Sequence, residues 1–451
     1  MNWTTTHSLA ASAAFKALDA AGLDWMVLRN HQGLPHCNRS KDIDLGLDKR
    51  NFHRAQEVIA VALKSLGFSQ LLVQDFQYVR CLTFFGTPEK HPLAIKIDLL
   101  DGFAFRGAQV FKFRALLETA RSDQGFLVPS IVDDAVMLWL KPLVTGGIVK
   151  TKYIGDIKQA TTENPAGVRE ILERVLTPKW AALAWSKLEA GDIAGTISLK
   201  SGLRRSVWWR AFRHSPFETL QDAIRHMLSE LRRRAHRPPA TFLAVLGPDG
   251  VGKTTFVEGL RARLATLQVR DVDNVQVRHF RPHLFPNISQ FVTGRAEVIA
   301  EYNNPHSASP AGTLSSILRI SYYAVDYVLG YWLKLRGKMI AGQTIIFDRY
   351  CYDFIVDPRR SRLSLPLWVP GLLLRMVPKP DLIFVLDAPA GEVHRRKQEL
   401  SLEEIDRQLT EYRKLVQSEP ARFKQINANQ PAEIMLETAL REIVTRLYPA
   451  I

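Results

Sequence analysis

The feature that most constrains this chain is a glycine-rich loop between an apolar run and a helical segment. Residues 242–246 (FLAVL) are followed by residues 247–254 (GPDGVGKT), and a helical pattern then continues to Ala265. Glycines let the backbone wrap closely around an anion, and the next helix directs its free N–H groups and positive dipole end toward that anion. The spacing therefore predicts a phosphate-binding turn that joins a strand to a helix.

The same spacing assigns roles to the residues that end the loop. Lys253 is expected to reach the β and γ oxygens of a nucleoside triphosphate, and the Thr254 hydroxyl to ligate Mg²⁺. The alternative is a glycine-rich turn without a ligand, which the strand before it and the helix after it disfavour. The predicted nucleotide-binding residues are Gly247, Asp249, Gly250, Val251, Gly252, Lys253, Thr254 and Thr255.

The length of 451 residues favours two or three domains. We predict an α/β domain over residues 1–127, a helical connector with a basic segment over 128–237, and a second α/β domain over 238–451. In the first domain helices are predicted up to Ala21 and over 51–66, with strands at 25–28, 42–47, 71–73, 81–85 and 93–99. In the third domain, strands at 242–246, 275–277, 344–347, 382–386 and 424–426 alternate with helices, which predicts a parallel sheet covered on both faces.

Charge and cysteine content limit the partners and the setting. Lys and Arg outnumber Asp and Glu by 60 to 45, so the chain carries +15 and favours phosphorylated ligands or other anions. The three cysteines form no C-x-x-C pair, which fits a reducing, cytoplasmic setting without a zinc site. The apolar segment 320–335 is interrupted by Asp326 and is shorter than a bilayer span requires, so we predict a buried helix there.

Much of the excess positive charge lies in the connector. Residues 201–240 hold nine arginines and three carboxylates, and the pair Trp208-Trp209 lies among them. Aromatic and basic residues combine in peripheral contacts with anionic membranes and in nucleic-acid binding, so both remain open for residues 201–237. A linker helix with a packed Trp pair and a solvated basic side is the favoured interpretation, and nucleic-acid binding is not favoured.

Three further motifs follow the glycine-rich loop in a fixed order. They are residues 347–350 (FDRY) at the end of the third strand, 380–387 (PDLIFVLD) at the fourth, and 395–397 (RRK) shortly after it. Together with the loop they resemble the thymidylate kinase group of nucleoside-monophosphate kinases, over residues 241–449. The resemblance implies a kinase that uses ATP and Mg²⁺ to phosphorylate a small molecule.

The resemblance also implies roles for single residues. Asp348 organises Mg²⁺ or orients the acceptor, Arg349 holds the acceptor's phosphate, and Asp249 meets a ribose hydroxyl. Arg281 and Asp326 are expected on the acceptor side, although an Arg-Pro after a strand is also typical of a solvated turn. Arg395, Arg396 and Lys397 belong to a lid that brings positive charge onto the transferred group, or to a solvated basic helix face.

One departure from the family pattern bears on the acceptor. Tyr327 stands where the resemblance leads us to expect an arginine after Asp326, and residues 282–310 lack the family's glycine-rich continuation. Loss of that cation weakens the case for thymidine monophosphate in particular. The acceptor is therefore a nucleoside monophosphate, a thymidylate-like molecule or a sugar phosphate.

The N-terminal domain carries a second arrangement of carboxylates. Asp42 and Asp44 lie on one face of a strand because side chains alternate with period two, and Asp98 ends a later apolar strand. Such carboxylates repel one another unless a divalent cation lies between them. The pattern over residues 20–105 resembles nucleotidyltransferase-fold domains, in which such a triad holds the metal ions. The family's Gly-Ser or Gly-Gly turn is missing, so Arg29 or Lys41 would have to hold phosphate.

Three interpretations of function follow. The first is a thymidylate-kinase-like phosphotransferase fused to a nucleotidyltransferase-like domain. The second is a nucleotide-operated switch or a nucleic-acid-associated ATPase that uses the basic connector and hydrolyses ATP. The third makes the N-terminal domain the main enzyme, with Asp42 and Asp44 required for a nucleotidyl product.

Overall fold

The computed structural model describes residues 3–38, 40–88, 92–235, 241–269, 271–286, 312–366 and 368–451, without the side chains of Arg233, Leu373 and Leu374. The chain divides into two compact units. Unit 1 is Met1–Ala235 together with Pro449–Ile451, and unit 2 is His236–Tyr448. The predicted boundary at 237/238 and most of the segment 282–310 lie outside the described residues.

Unit 1 contains a mixed five-stranded sheet. Its strands are β1 (Met26–Arg29), β2 (Ile43–Gly46), β3 (Phe68–Asp75), β4 (Val79–Gly86) and β5 (Leu93–Leu100), in the order β1-β2-β5-β4-β3. β2 and β5 are parallel, and the other neighbours are antiparallel. All five strands were predicted to within a few residues, because each contains a run of apolar or β-branched side chains.

Two short hairpins in unit 1 were not predicted. They pair β6 (Phe103–Phe105) with β7 (Ala108–Phe111), and β8 (Arg121–Asp123) with β9 (Phe126–Val128). Each turn has two central residues at positive φ, Arg106-Gly107 and Gln124-Gly125, the geometry that two-residue hairpin turns require. Neither turn has the Asn-Gly or Asp-Gly sequence that makes such hairpins recognisable.

The helices of unit 1 share one core with its sheet. They are α1 (Thr5–Ala20), α2 (Phe52–Lys64), α3 (Phe113–Glu118), α4 (Ile131–Thr145), α5 (Ile154–Glu163), α6 (Pro165–Val175), α7 (Pro178–Glu189), α8 (Lys200–His214) and α9 (Pro216–Ala235). A continuous cluster of buried apolar side chains extends from α1 to α8 and includes Trp139 of α4. The helical segment that the sequence sets apart as a connector therefore packs on the same core as the sheet. α9 exposes apolar side chains, among them Phe217, which is 88% exposed.

Unit 2 is built on the parallel sheet that the sequence predicts. Its strands are β10 (Phe242–Leu246), β11 (Val275–His279), β12 (Thr344–Asp348), β13 (Leu382–Asp387) and β14 (Phe423–Asn427), in the order β11-β12-β10-β13-β14. All neighbours are parallel. β10 lies in the middle, between β12 and β13, so the carboxyl ends of these three strands meet at one edge.

Helices connect the strands of unit 2. They are α10 (Lys253–Leu267), α11 (Thr313–Gly330), α12 (Arg336–Ile340), α13 (Asp353–Val356), α14 (Trp368–Leu374), α15 (Ala390–Arg396), α16 (Leu402–Ser418) and α17 (Ala432–Leu447). A π-helical turn, Tyr331–Leu335, joins α11 to α12. Within the described ranges, no helix has both the length and the apolar content needed to cross a membrane.

The segment 320–335 is helical, as predicted, but it is buried on one side only. Ile320 and Tyr327 are buried, but Leu329, Trp332 and Leu333 are exposed. The segment is apolar on more than one side, whereas only one side packs against the sheet. Hydrophobic content alone does not indicate which side that is.

Candidate functional site

The glycine-rich loop joins the C-terminal end of β10 to the N-terminus of α10. Gly247, Gly250 and Gly252 all have positive φ, a region that other residues rarely adopt. A Cβ added at Gly250 would lie 2.8 Å from the Lys397 Cβ and 3.0 Å from the Val393 carbonyl oxygen. The loop conformation therefore depends on glycine, as a turn that wraps around an anion requires.

Lys253 lies at the start of α10 and is buried. Its Nζ donates a hydrogen bond to the Pro248 carbonyl at 2.7 Å and is 3.5 Å from the Asp249 Oδ1. Burial, followed by the positive charge of Arg349, lowers the pKa of the Lys253 ammonium to about 8. A phosphate oxygen beside Nζ would add negative charge to that of Asp249 and favour the charged form of this ammonium.

Asp249, in the loop, is held by two arginines. Arg349 Nη2 donates to its Oδ1, and Arg360 Nη2 donates to its Oδ2. Burial raises the pKa of the Asp249 carboxyl, but the charges of Arg349, Lys253 and Arg360 outweigh it and keep that pKa well below its ordinary value. The predicted partners of these groups, a ribose hydroxyl for Asp249 and the acceptor's phosphate for Arg349, stay predictions. In this structure the two side chains bind each other.

Arg349 is fixed from a second side. It has positive φ and is buried, and its Nη1 donates to the Asp353 Oδ2 at 2.7 Å. The other Asp353 oxygen accepts a hydrogen bond from the Tyr412 hydroxyl at 2.9 Å. These contacts preorganise the guanidinium at the edge of the loop.

Asp348 ends β12 beside the loop. Its Oδ2 is 3.7 Å from His279 Nδ1, and its Oδ1 is buried without a hydrogen-bond partner among the described residues. Burial raises the pKa of the Asp348 carboxyl, but the hydrogen bond from His279 and the charge of Lys253 outweigh burial and lower it. A buried, ionised oxygen without a partner is costly unless a cation or water completes it. Together with the exposed Thr254 hydroxyl, it fits an oxygen-donor site for Mg²⁺.

These groups line one cavity of about 430 Å³. It brings together much of the predicted site: Asp249, Gly250, Gly252, Lys253, Thr254, Thr255, Asp348 and Arg349. It also contains Lys397 of the predicted lid, and His279, Arg360 and Glu399, which the site prediction did not include. Arg360 lies in a short turn, Pro358–Ser361, with no motif that marks it, so only the folded chain relates it to Asp249.

The predicted lid residues are not equivalent. Arg395 is exposed and pairs with Glu392 of its own helix, and Arg396 donates to the Ala428 carbonyl at 3.3 Å. Neither lines the cavity, whereas the neighbouring Lys397 does. The catalytic roles of Arg395 and Arg396 stay predictions.

Arg281 and Asp326, which were both predicted on the acceptor side, pair with each other. Their buried side chains form an ion pair at 3.2 Å, and Asp326 Oδ1 also accepts from the Phe285 amide at 2.8 Å. Neither lines the loop cavity. Tyr327, where a cation was expected, is buried and donates its hydroxyl to the Phe280 carbonyl.

The three carboxylates of unit 1 meet on one face of its sheet. Asp44 is the register partner of Asp98 across the parallel strands β2 and β5. Arg29 donates to both oxygens of Asp44, at 2.6 and 3.0 Å. Lys96 Nζ lies 2.9 Å from Asp98 Oδ2 and 3.3 Å from Asp42 Oδ2. The sequence led us to expect that metal ions balance these carboxylates. Arg29 and Lys96 supply that positive charge instead.

This arrangement does not fit a metal centre. Among the described residues, no group of three His, Cys, Asp or Glu side chains is placed to hold a metal ion. The pKa of Asp42 agrees with side-chain pairing: burial raises it, but Lys96 and Arg29 lower it below its ordinary value. Burial raises the pKa of Asp98, and the attraction of Lys96 does not outweigh burial and the charges of Asp44 and Asp42. The sequence signal that revealed the carboxylates gave no sign of Arg29 and Lys96 as their partners.

Comparisons with solved structures give several matches, among them one of low TM-score. The chain is similar to thymidylate kinase from Ehrlichia chaffeensis, with a TM-score of 0.31 and 15% sequence identity, over 45% of this chain and 97% of that chain. No protein-family model matches the chain. No curated protein matches it either. A likeness at this TM-score carries no weight, so function must be argued from the residues of the site.

Proposed function

We propose that unit 2 is a phosphotransferase that moves the terminal phosphoryl group of ATP to a small phosphorylated acceptor in the presence of Mg²⁺. The observation that carries the proposal is the unpartnered, buried oxygen of Asp348, in the same cavity as Lys253 and Thr254. An anion-binding loop, a buried ammonium and an oxygen donor for a metal ion are the parts that phosphoryl transfer needs in one place.

The loop supports the triphosphate part of the proposal. Its glycines have the backbone conformation of an anion cradle, and α10 begins directly at Lys253, so the helix N-terminus faces the same cavity. Lys253 would exchange its bond to the Pro248 carbonyl for a phosphate oxygen. This exchange gives the buried ammonium a charged partner in place of a neutral one.

Cations around the loop support transfer rather than binding alone. Arg349, Arg360 and Lys397 line the cavity with Lys253, and the first two converge on the single carboxylate of Asp249. In the transfer, an acceptor oxygen forms a bond to the γ-phosphorus while the bond to the bridging oxygen of ADP breaks. Fixed cations stabilise the charge on the transferred group. Mg²⁺ held by Thr254 and Asp348 would neutralise charge on the phosphates.

The acceptor is a nucleoside monophosphate, a thymidylate-like molecule or a sugar phosphate. A phosphate on the acceptor would find Arg349 and Arg360 at the edge of the loop once Asp249 is released from them. The buried Tyr327 supplies no charge to an acceptor, so the contact that the family uses for thymidylate is missing at that position.

For unit 1, we propose a nucleotidyltransferase-like fold without metal-dependent catalysis. The juxtaposition of Asp44 and Asp98 in adjacent parallel strands supports the fold part of this proposal. The ion pairs to Arg29 and Lys96 favour a structural role for these carboxylates.

The test is a transfer assay with γ-labelled ATP and Mg²⁺ over nucleoside monophosphates and sugar phosphates. Asp348→Asn is expected to lower transfer by about a hundredfold or more, because it removes the charge of the proposed metal ligand. The matched control is Asp387→Asn, since Asp387 ends β13, on the other side of β10 from β12, but pairs with Arg413 at 2.9 Å outside the cavity. Label that appears only as inorganic phosphate, at a rate that DNA or RNA increases, would favour the ATPase interpretation instead.

A further inference from the structure

Unit 1 contains a second cavity, beside α4. None of its lining residues lines the loop cavity of unit 2. The volume of this second cavity is about 480 Å³, which is within the range of small-molecule pockets, roughly 300–1,000 Å³. Much of the wall is apolar and consists of Leu28, Phe103, Met137, Leu138, Pro142 and Ile148. A wall of this kind suits the aliphatic or aromatic part of a ligand.

More positive than negative side chains line this cavity. Arg29, Lys141 and Lys150 line it, and Asp44 is the single carboxylate among the lining residues that the structure describes. Asp44 is already neutralised, because Arg29 binds both of its oxygens. The two lysines therefore leave a positive surplus at an otherwise apolar pocket.

The positive charge of Lys141 lies beside the apolar wall of the cavity. Lys141 follows Met137 and Leu138 by one helical turn on α4, so these side chains lie on one face of the helix. Among the described residues, the Lys141 ammonium has no hydrogen bond or ion pair, although the Lys141 carbonyl accepts a hydrogen bond from the Thr145 hydroxyl at 2.9 Å. Burial, followed by the charge of Arg29, lowers the pKa of the Lys141 ammonium to about 8, which is the direction expected of a cation without its counterion.

We infer that this cavity binds a small anion with an apolar body, whose phosphate or carboxylate group pairs with Lys141. The apolar wall takes the body of the ligand, and the ammonium takes its charged end. Such a pair gives Lys141 the partner that the protein does not supply. The inference does not depend on phosphoryl transfer by unit 2.

The probes for the test are 1-naphthyl phosphate, 1-naphthoate, the neutral 1-naphthol and inorganic phosphate, titrated calorimetrically into the full chain. One site per chain is expected for at least one of the two aromatic anions. 1-Naphthol and inorganic phosphate are expected to bind at least about tenfold more weakly than that anion, since each lacks half of the recognised chemistry. Stronger binding of the phosphate or of the carboxylate identifies which anion the site takes.

Lys141→Met removes the positive charge that is proposed to bind the anion and keeps nearly the same side-chain volume. It is expected to weaken binding of the preferred anion about tenfold or more, whereas Lys141→Arg retains most of it. The matched control is Lys179→Met, at an exposed lysine on α7. Thermal unfolding of each variant verifies that it is folded.

Two outcomes would overturn the inference. One is absence of binding of both aromatic anions to the wild type, and the other is equal binding to wild type and Lys141→Met. Lys253→Ala separates this site from the loop of unit 2: binding that survives in this variant belongs to unit 1, and binding lost in it belongs to the phosphate loop and counts against the inference. Failure of the transfer assay leaves this result unaffected.

Discussion

Each unit of the protein holds a lysine whose pKa is lowered to about 8, Lys253 in unit 2 and Lys141 in unit 1. Burial is the main cause for both, and an arginine, Arg349 or Arg29, is the next. Only Lys253 was predicted, because it belongs to a loop in which glycines and a helix N-terminus form the site from consecutive residues. Lys141 lies within α4, and its surroundings come from β1, β2, β6, α4 and the segment after α4. Sites formed by consecutive residues are visible in sequence, whereas sites assembled from separate elements are not.

The largest expected effect is on ATP turnover, and it distinguishes Lys253 from Lys141. Lys253→Met is expected to lower ATP turnover by about a hundredfold or more, because it removes the cation that faces the triphosphate. The measurement is kcat/KM for ATP consumption. The matched control is Lys424→Met, since Lys424 pairs with Glu442 at 2.6 Å and does not line the cavity. An equal loss in Lys141→Met would break the comparison, because both lysines would then serve one reaction.

The second prediction compares how each unit neutralises a buried carboxylate. Arg29→Met leaves Asp44 without its bidentate partner and is expected to lower the free energy of unfolding by about 2–4 kcal/mol. Arg360→Met leaves Asp249 bound to Arg349 and is expected to cost about 1 kcal/mol. Urea unfolding followed by circular dichroism measures both. The double variant Arg29→Met/Asp44→Asn should recover part of the loss, and failure to do so would mean that Arg29 acts through packing.

A smaller effect concerns the stability of unit 1. Lys141→Met is expected to raise the free energy of unfolding by about 1 kcal/mol at pH 7, because the folded chain disfavours this ammonium relative to the unfolded chain. The gain is complete below pH 8 and declines as the pH rises from about 8 to 10.5, where the folded and then the unfolded lysine lose the proton. Arg29 lowers this pKa, and Asp44, Asp98 and Asp42 raise it. A gain that increases above pH 8 would contradict the assignment.

The smallest expected effect is the uptake of protons when ATP binds. At pH 8.5, a lysine with a pKa near 8 is mostly neutral, so ATP binding that requires the Lys253 ammonium should take up about half a proton or more. Calorimetry in two buffers of different ionisation enthalpy measures this uptake. Lys253→Met should show none, and uptake that persists in this variant would assign the proton to another group.

The fold was largely predictable because its strands are strongly patterned. Residues 242–246 and 382–386 are continuous apolar runs, and both proved to be buried parallel strands, β10 and β13. The hairpin turns at Arg106-Gly107 and Gln124-Gly125 were missed because their sequences are not typical of such turns. The exposed side of α11 was missed because apolar content does not report which side of a helix is covered.

The site was predictable where a motif or the end of a strand marks its residues. Lys253, Thr254 and Asp348 could be placed together because a phosphate loop and the end of a neighbouring parallel strand share one edge of a sheet. Arg360 could not, since it lies in the short turn Pro358–Ser361, which no motif or strand end marks. The same limit applies to Asp42, Asp44 and Asp98, where the sequence shows the negative charges but not which positive charges fold against them.

The carboxylate of Asp249, bound by Arg349 and Arg360, competes with any anion that enters the loop. An incoming molecule with a single weak charge gains little by displacing it, because two guanidinium groups already have a well-matched partner. A molecule with several closely spaced charges can engage the loop, the lysine and the freed arginines at once. In the proposed phosphotransferase, the cavity would thereby discriminate between anions by charge density, without any steric barrier.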